Sequence, residues 1–169
     1  TSKIVIRSLK YFKFETIEEL GSSSYFGQNI EKCVVIVFLS YSGELNEALM
    51  EFVCRSLENS PVRTELKIKT HPNCIEPLSA NYAGEYLDDW IGYVREVKTP
   101  VVAIVNSYTS AGIDCNYLKL PVIVKLELDR LPFASPQESS LVCYVSSIED
   151  MSSAIEFYSS TELSGGSSI

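Results

Sequence analysis

The feature that most constrains this chain is one uninterrupted apolar run, Cys33 to Leu39 (CVVIVFL), four of whose seven residues are β-branched. A strand with one face in water alternates polar and apolar side chains. A strand without a polar position has to be covered on both faces, which is the situation of a central strand in a parallel sheet. Parallel neighbours in turn need long crossover connections, usually helices. Val101 to Val105 (VVAIV) repeats the pattern, and Pro121 to Leu126 (PVIVKL) and Leu141 to Val145 are shorter versions of it. In Glu65 to Thr70 (ELKIKT), Leu66 and Ile68 share one face of a strand and Lys67 and Lys69 the other.

Helical periodicity fills the intervals. Leu45, Leu49, Phe52, Val53 and Leu57 fall at helical spacing and predict a helix over Asn46 to Leu57, stopped by Asn59-Ser60-Pro61. Glu76 to Val97 reads as helix-rich, interrupted near Gly84, with Leu87, Trp90, Ile91 and Val94 as its apolar face. A turn over Asn106 to Ser110 leads into a short helix, Ala111 to Lys119, and Ile148 to Phe157 closes the pattern with another. Alternating strands and helices of this length predict an α/β fold, a single Rossmann-like doubly wound parallel sheet with helices on both faces.

The 169 residues suffice for one domain with a substantial core. The expected organisation is a segment or interdomain crossover over residues 1–30, the Rossmann-like domain over 31–160, and a flexible Gly/Ser tail over 161–169. Lys3 to Arg7 is a candidate strand in the first segment and Ser22-Ser23-Ser24 a loop.

Composition removes several function classes. Fourteen Lys and Arg against twenty-two Asp and Glu give a formal charge of −8, unsuited to neutralising a phosphate backbone, so nucleic acid is not an expected partner. No apolar run is long enough to cross a bilayer, and Thr1 to Lys10 lacks the apolar core of a signal peptide, so the expected location is cytoplasmic. The cysteines (Cys33, Cys54, Cys74, Cys115, Cys143) contain no C-x-x-C pair; they are expected to be reduced and structural, with no metal site.

In an open parallel sheet the ligand lies beyond the carboxyl ends of the strands, near the switch in strand order. Three predicted strand ends are polar. Lys69 and His71, two residues apart, share one side of a strand tip and form a cationic pair suited to phosphate; Pro72 holds His71 extended. Ser107, Thr109 and Ser110 stand between a buried strand and a helix, more hydroxyls than capping requires, with helix N–H groups behind them. Asp114, one turn further on, is placed to accept hydrogen bonds from ribose hydroxyls. Ser42 and Gly43, in the loop Tyr41-Ser42-Gly43-Glu44, offer close backbone approach. Each has a plainer role available: a loop histidine, an N-cap, a solvated helix residue, an ordinary strand-to-helix loop. No G-x-S-x-G, Walker A or G-x-G-x-x-G motif is present.

The order KTHP (Lys69 to Pro72) followed by NSYTSAGIDCNYLKLPVIV (Asn106 to Val124) resembles the C-terminal, donor-binding half of GT-B glycosyltransferases. It is similar in particular to bacterial surface carbohydrate (O-antigen) biosynthesis proteins and to sialyl- and polysialyltransferase-like enzymes, over roughly Cys33 to Phe157. The later LPFASP and LVCYVSS favour the surface carbohydrate group. The resemblance implies a nucleotide-sugar donor, CMP-, CDP- or UDP-linked, with no other cofactor. His71 would bind or protonate the donor phosphate as a general acid; Ser107, Thr109 and Ser110 would hold phosphate or base; Asp114 stands where the family more often has Glu on the ribose. Lys119 stands where it usually has Gly. The resemblance also implies that the acceptor site and catalytic base belong to an N-terminal half outside this chain. The chain alone is then expected to be inactive, and the inner face of the membrane is reached through that half or a partner subunit. The competing expectation is a non-enzymatic nucleotide-binding or interaction subunit that docks on a partner.

Overall fold

The computed structural model describes residues 32–74, 78, 82–127, 136 and 139–160. Six strands make one sheet: β1 (Cys33–Phe38), β2 (Thr64–Lys69), β3 (Glu85–Tyr86), β4 (Val101–Asn106), β5 (Val122–Lys125) and β6 (Val142–Val145). Four helices accompany them among the described residues: α1 (Gly43–Glu58), α2 (Trp90–Glu96), α3 (Ala111–Tyr117) and α4 (Ile148–Ser160). All five strand pairings are parallel, in the order β3-β2-β1-β4-β5-β6. The chain builds outward from β1 to β3, then returns to lay β4 on the other flank of β1. The fold is α/β, a doubly wound Rossmann-like sheet whose strand order switches between β1 and β4.

Burial on two faces explains the continuous apolar runs. Val35, Val37 and Leu39 of the first run join Val102, Ile104 and Ile123 on one face, under Leu49, Met50 and Val53 of α1 and Met151 and Ile155 of α4. Val34, Ile36 and Phe38 join Ala103, Val105, Val122 and Val124 on the other, with Trp90 and Tyr93 of α2 and Cys115 of α3 against them. Phe38 meets Trp90 edge-on, ring centroids 4.9 Å apart. Each such fully buried side chain contributes about 1.5–3 kcal/mol, so the two-faced core dominates stability.

Helix α3 lies close to the sheet because its second residue has no side chain. A Cβ on Gly112 would stand 3.1 Å from Val105 Cγ2, tighter than ordinary contact. The helix ends in a Schellman turn, in which the Leu120 N–H donates to the Cys115 carbonyl and the Lys119 N–H to that of Asn116, both at 3.0 Å. Lys119 occupies the left-handed position of that turn, with φ 58°. A lysine therefore fills the conformation for which glycine is the usual residue.

The stretch from Glu76 to Val97 needs correction. Among its described residues it is helical over Trp90–Glu96, and Glu85–Tyr86 pairs in parallel with Lys67 and Ile68 as the edge strand β3. Both β3 residues are exposed, so no apolar period marks the strand. Gly84 admits the close approach, since a Cβ there would stand 2.8 Å from Ile68 Cδ1. Asp89 starts α2 by accepting from the Gly92 N–H at 2.9 Å. Ile91, read as part of the apolar face, is exposed, while Tyr93 takes a place in the core. Helix α1 begins three residues earlier than expected, and α4 runs on to Ser160. Lys3 to Arg7, Ser22 to Ser24 and the 161–169 tail lie outside the described residues.

The lysine face of β2 is built around Lys67. Its side chain is 6% exposed and its ammonium bridges Glu65, at 2.7 Å, and Glu85 on β3. Lys32 adds a second cation to Glu65, and the Tyr93 ring lies 5.2 Å from the Lys67 nitrogen. Burial opposes the Lys67 charge, but its two carboxylate partners outweigh that and hold its pKa above the ordinary value. Lys32 and Lys67 together lower the Glu65 carboxyl to about 2.

Candidate functional site

Three strand tips meet at the carboxyl rim where the strand order switches. At the tip of β1 the chain turns through Ser40, which is fully buried. Asn46 of α1 holds it: the Ser40 N–H donates to Asn46 Oδ1 at 2.7 Å, the Ser40 hydroxyl donates to the same oxygen at 3.1 Å, and Asn46 Nδ2 donates to the Ser40 carbonyl at 2.9 Å. Asn46 Nδ2 also reaches Cys74 Sγ at 3.5 Å, tying the β1 tip to the loop after β2. Ser42 stands at the N-cap of α1 without a side-chain capping bond, and Gly43 is the first helical residue, with no positive φ. The sixteen-residue helix α1 thus points its N-terminal N–H groups and positive dipole end at the rim.

At the tip of β2, Lys69 and His71 part company. Lys69 Nζ donates to the Asp88 carbonyl at 2.8 Å, on the β3 flank. The His71 ring meets Tyr41, at the β1 tip, edge-on with centroids 6.4 Å apart. His71 Nδ1 accepts from the Asn73 N–H at 3.1 Å, leaving Nε2 as the ring nitrogen that points away from its own loop. The two side chains do not act as one pair, because Pro72 and the turn after Lys69 end strand periodicity before His71 is reached.

At the tip of β4 the hydroxyl residues separate into three environments. Ser107 is 1% exposed, and its Oγ has no hydrogen-bond partner among the described residues. Thr109 is buried and its Oγ1 accepts from the Ala111 N–H at 3.4 Å, which is the capping role. Ser110 occupies the N-cap position of α3 in αR conformation, makes no side-chain cap and is exposed. Asp114 is exposed in the first turn of this seven-residue helix. Behind it, burial first and the Asp114 charge second push the Cys115 thiol up to about 12, so Cys115 is an inert core residue.

Register aligns Lys69, Phe38 and Val105 across β2, β1 and β4. His71 and Ser107 follow the two outer strands, on either side of β1, whose own tip leads into Tyr41, Ser42 and Gly43. The arrangement offers an imidazole, a buried hydroxyl without a partner among the described residues and helix N–H donors around the β1 tip.

Sequence reasoning missed two further groups. Asn46 is a polar residue inside the buried stripe of α1, beside Leu45, Leu49 and Met50, and that position was its only signal. Lys125 ends the apolar strand β5, aligned with Asn106 of β4; it is buried, its ammonium donates to Glu127, and the Phe52 ring lies 5.3 Å away. Asn106 is fully buried, its Oδ1 accepts from the Tyr108 N–H at 3.0 Å, and its Nδ2 has no partner among the described residues.

All five cysteines are free thiols. Among the described residues no group of three His, Cys, Asp or Glu is placed to hold a metal ion, and no helix is long and apolar enough to cross a membrane. Compared with known proteins, the chain matches no protein-family model, no curated sequence and no solved structure.

Proposed function

We propose that this domain binds the phosphorylated nucleoside of a sugar nucleotide at the β1–β4 switch, as the donor-binding half of a GT-B-type glycosyltransferase for bacterial surface polysaccharide. The observation that carries the binding part is Ser107. A hydroxyl buried at a strand-order switch and left without a partner among the described residues costs about 1–3 kcal/mol, a deficit that a ligand oxygen removes. His71, on the other side of β1, supplies a proton donor for the phosphate, and the N–H groups of Gly43 and the first turn of α1 supply neutral donors, the Ser42 N–H being held by Ser40 Oγ at 3.3 Å. Ser110 and Asp114, both exposed, are the groups left for ribose or base. Lys69 is the weakest member, since its ammonium serves the Asp88 carbonyl. The transferase assignment rests on the resemblance of the KTHP and NSYTSAGIDCNYLKLPVIV segments. On this reading the acceptor site and catalytic base are supplied by an N-terminal half or a partner subunit, and the work is done in the cytoplasm or, through that partner, at the inner face of the membrane.

The test is calorimetric titration of the chain with CMP, CDP and UDP, alone and as sugar nucleotides, in parallel with His71→Ala. Binding of one series, weakened about tenfold or more by the substitution, is the expected result. No heat with any of them sinks the proposal. A glycosyl-transfer assay on the chain alone is expected to show no product.

A second reading is a non-enzymatic nucleotide-binding or interaction subunit. It is favoured by Ile113, Tyr117 and Leu118 of the α3 region, which expose 46%, 86% and 38% of their surface. Nucleotide binding without transfer, even with the N-terminal half of the natural protein present, would select it.

A further inference from the structure

Asn106 and Lys125 are neighbours in register on β4 and β5, and alternation puts both on the face covered by α1 and α4. Val102 and Ile104 precede Asn106 on that face, and Ile123 precedes Lys125. Phe52 of α1, beside the Lys125 ammonium, marks the same face. Ser107, one residue on, begins the turn after β4. The tip of β4 therefore carries two consecutive buried polar side chains, and only Ser107 is used by the nucleotide reading.

The chemistry of the Asn106 side is specific. The Asn106 carbonyl oxygen is committed to the Tyr108 N–H, which leaves the Nδ2 amide with two buried N–H donors and no acceptor among the described residues. Lys125 has three N–H donors and gives one to Glu127. Glu127 keeps carboxylate lone pairs beyond that bond. Lys125 and Glu127 keep 11% and 15% of their side chains exposed, whereas Asn106, beside Lys125 in register, is fully buried. An anionic ligand is disfavoured, because Glu127 already neutralises Lys125 and would repel a second negative group. An apolar group leaves the amide donors unpaired. A hydroxyl suits all three residues, since it accepts from Nδ2 or the ammonium and donates to the carboxylate. Neighbouring hydroxyls, as on a sugar ring, use donors and acceptors side by side.

We infer that Asn106, Lys125 and Glu127 form a hydroxyl-reading subsite for the glycosyl group of the ligand, on the α1/α4 side of the β4 tip. The inference rests on the donor-binding reading above and adds to it: the phosphorylated nucleoside is held at Ser107, His71 and the N-terminus of α1, and the sugar reaches Asn106 beside them. Asn106 is then a specificity-determining residue that contacts the sugar and leaves the nucleotide alone.

The experiment compares each bare nucleotide (CMP, CDP, UDP) with sugar nucleotides carrying different hexoses and nonuloses, by titration of the chain and of Asn106→Ala and Glu127→Gln. The expected result is at least one sugar nucleotide that binds about tenfold more tightly than its bare nucleotide, a gap that both substitutions close while bare-nucleotide affinity stays within twofold. Should Asn106→Ala fail to fold, Glu127→Gln decides alone, because it conserves shape at the more exposed position. A gap that survives the substitutions overturns the inference, as does the lack of a gap in every pair. Equal weakening of bare and sugar nucleotide also overturns it, since that is the mark of an Asn106 that only shapes the Ser107 loop. If no bare nucleotide binds, the underlying donor reading fails and this subsite falls with it.

Discussion

The Asn46 side chain closes both backbone groups of Ser40, taking the N–H on Oδ1 at 2.7 Å and giving Nδ2 to the carbonyl at 2.9 Å. Strand β1 ends where the ladder can no longer satisfy those groups, and a helix residue six positions later takes over. Both residues are buried, so neither backbone group can turn to water instead. Asn46→Ala is expected to cost about 2–4 kcal/mol, the sum of lost hydrogen bonds and two stranded polar groups. A urea unfolding series measures it, and a loss under about 1 kcal/mol would mean that the loop repairs itself with solvent.

Ser107 reverses the usual relation between stability and a polar side chain. Because its Oγ has no partner among the described residues, Ser107→Ala is expected to leave unfolding free energy unchanged or to raise it by up to about 1 kcal/mol. Nucleotide affinity in the same variant is expected to fall about tenfold. Thermal melting with and without ligand separates the two effects. A clear destabilisation of the ligand-free protein would show that the hydroxyl has a structural partner.

Lys119 pays for a left-handed backbone that glycine adopts freely. Its φ of 58° sits in the Schellman turn after α3, where the left-handed region costs an L-residue about 1–2 kcal/mol. The greater unfolded-state freedom of glycine returns part of that. Lys119→Gly is expected to stabilise the domain by about 0.5–1 kcal/mol, read as a higher denaturation midpoint with unchanged slope. Lys119→Ala, which keeps the Cβ, should gain little.

Glu65 sets an acid limit. Hydrogen bonds from Lys32, then Lys67, draw its carboxyl from an ordinary value of 4.5 down to about 2. The charged form is favoured in the fold, so the contribution is complete above about pH 4.5 and is lost as pH falls from there through about 2. The side chain is a third exposed, and solvent screening keeps the contribution below about 1 kcal/mol. Glu65→Gln should flatten the fall in stability across that window and leave the curve above pH 5 nearly parallel to that of the unsubstituted protein. High salt should have a similar but smaller effect.

What was legible in the sequence follows from what burial writes into it. Strands β1 and β4 declare themselves because residues buried on both faces have to be apolar in succession, and β5 does so until Lys125. Strand β3 left no trace, since Glu85 and Tyr86 lie exposed at an edge and pair only through backbone groups that every residue carries. The hydroxyl run at Ser107 to Ser110 was visible as composition, but sequence could not sort the buried Ser107 from the capping Thr109 and the solvated Ser110. Lys69 and His71 looked like a pair because strand periodicity was carried past the end of the strand. Asn46 and Lys125 escaped notice because each is a single polar residue in an apolar pattern, and such a residue acquires meaning only once its neighbour from a distant segment is known.

The short strand β3 has a consequence for how copies of this protein meet. A sheet edge recruits other chains through its row of open backbone donors and acceptors. Here that row is two residues long, and one of them, Glu85, holds the buried ammonium of Lys67. A second molecule approaching β3 finds two residues to pair with and meets a carboxylate on the way in. The strand that was hardest to read is thus a poor template for fibrous growth.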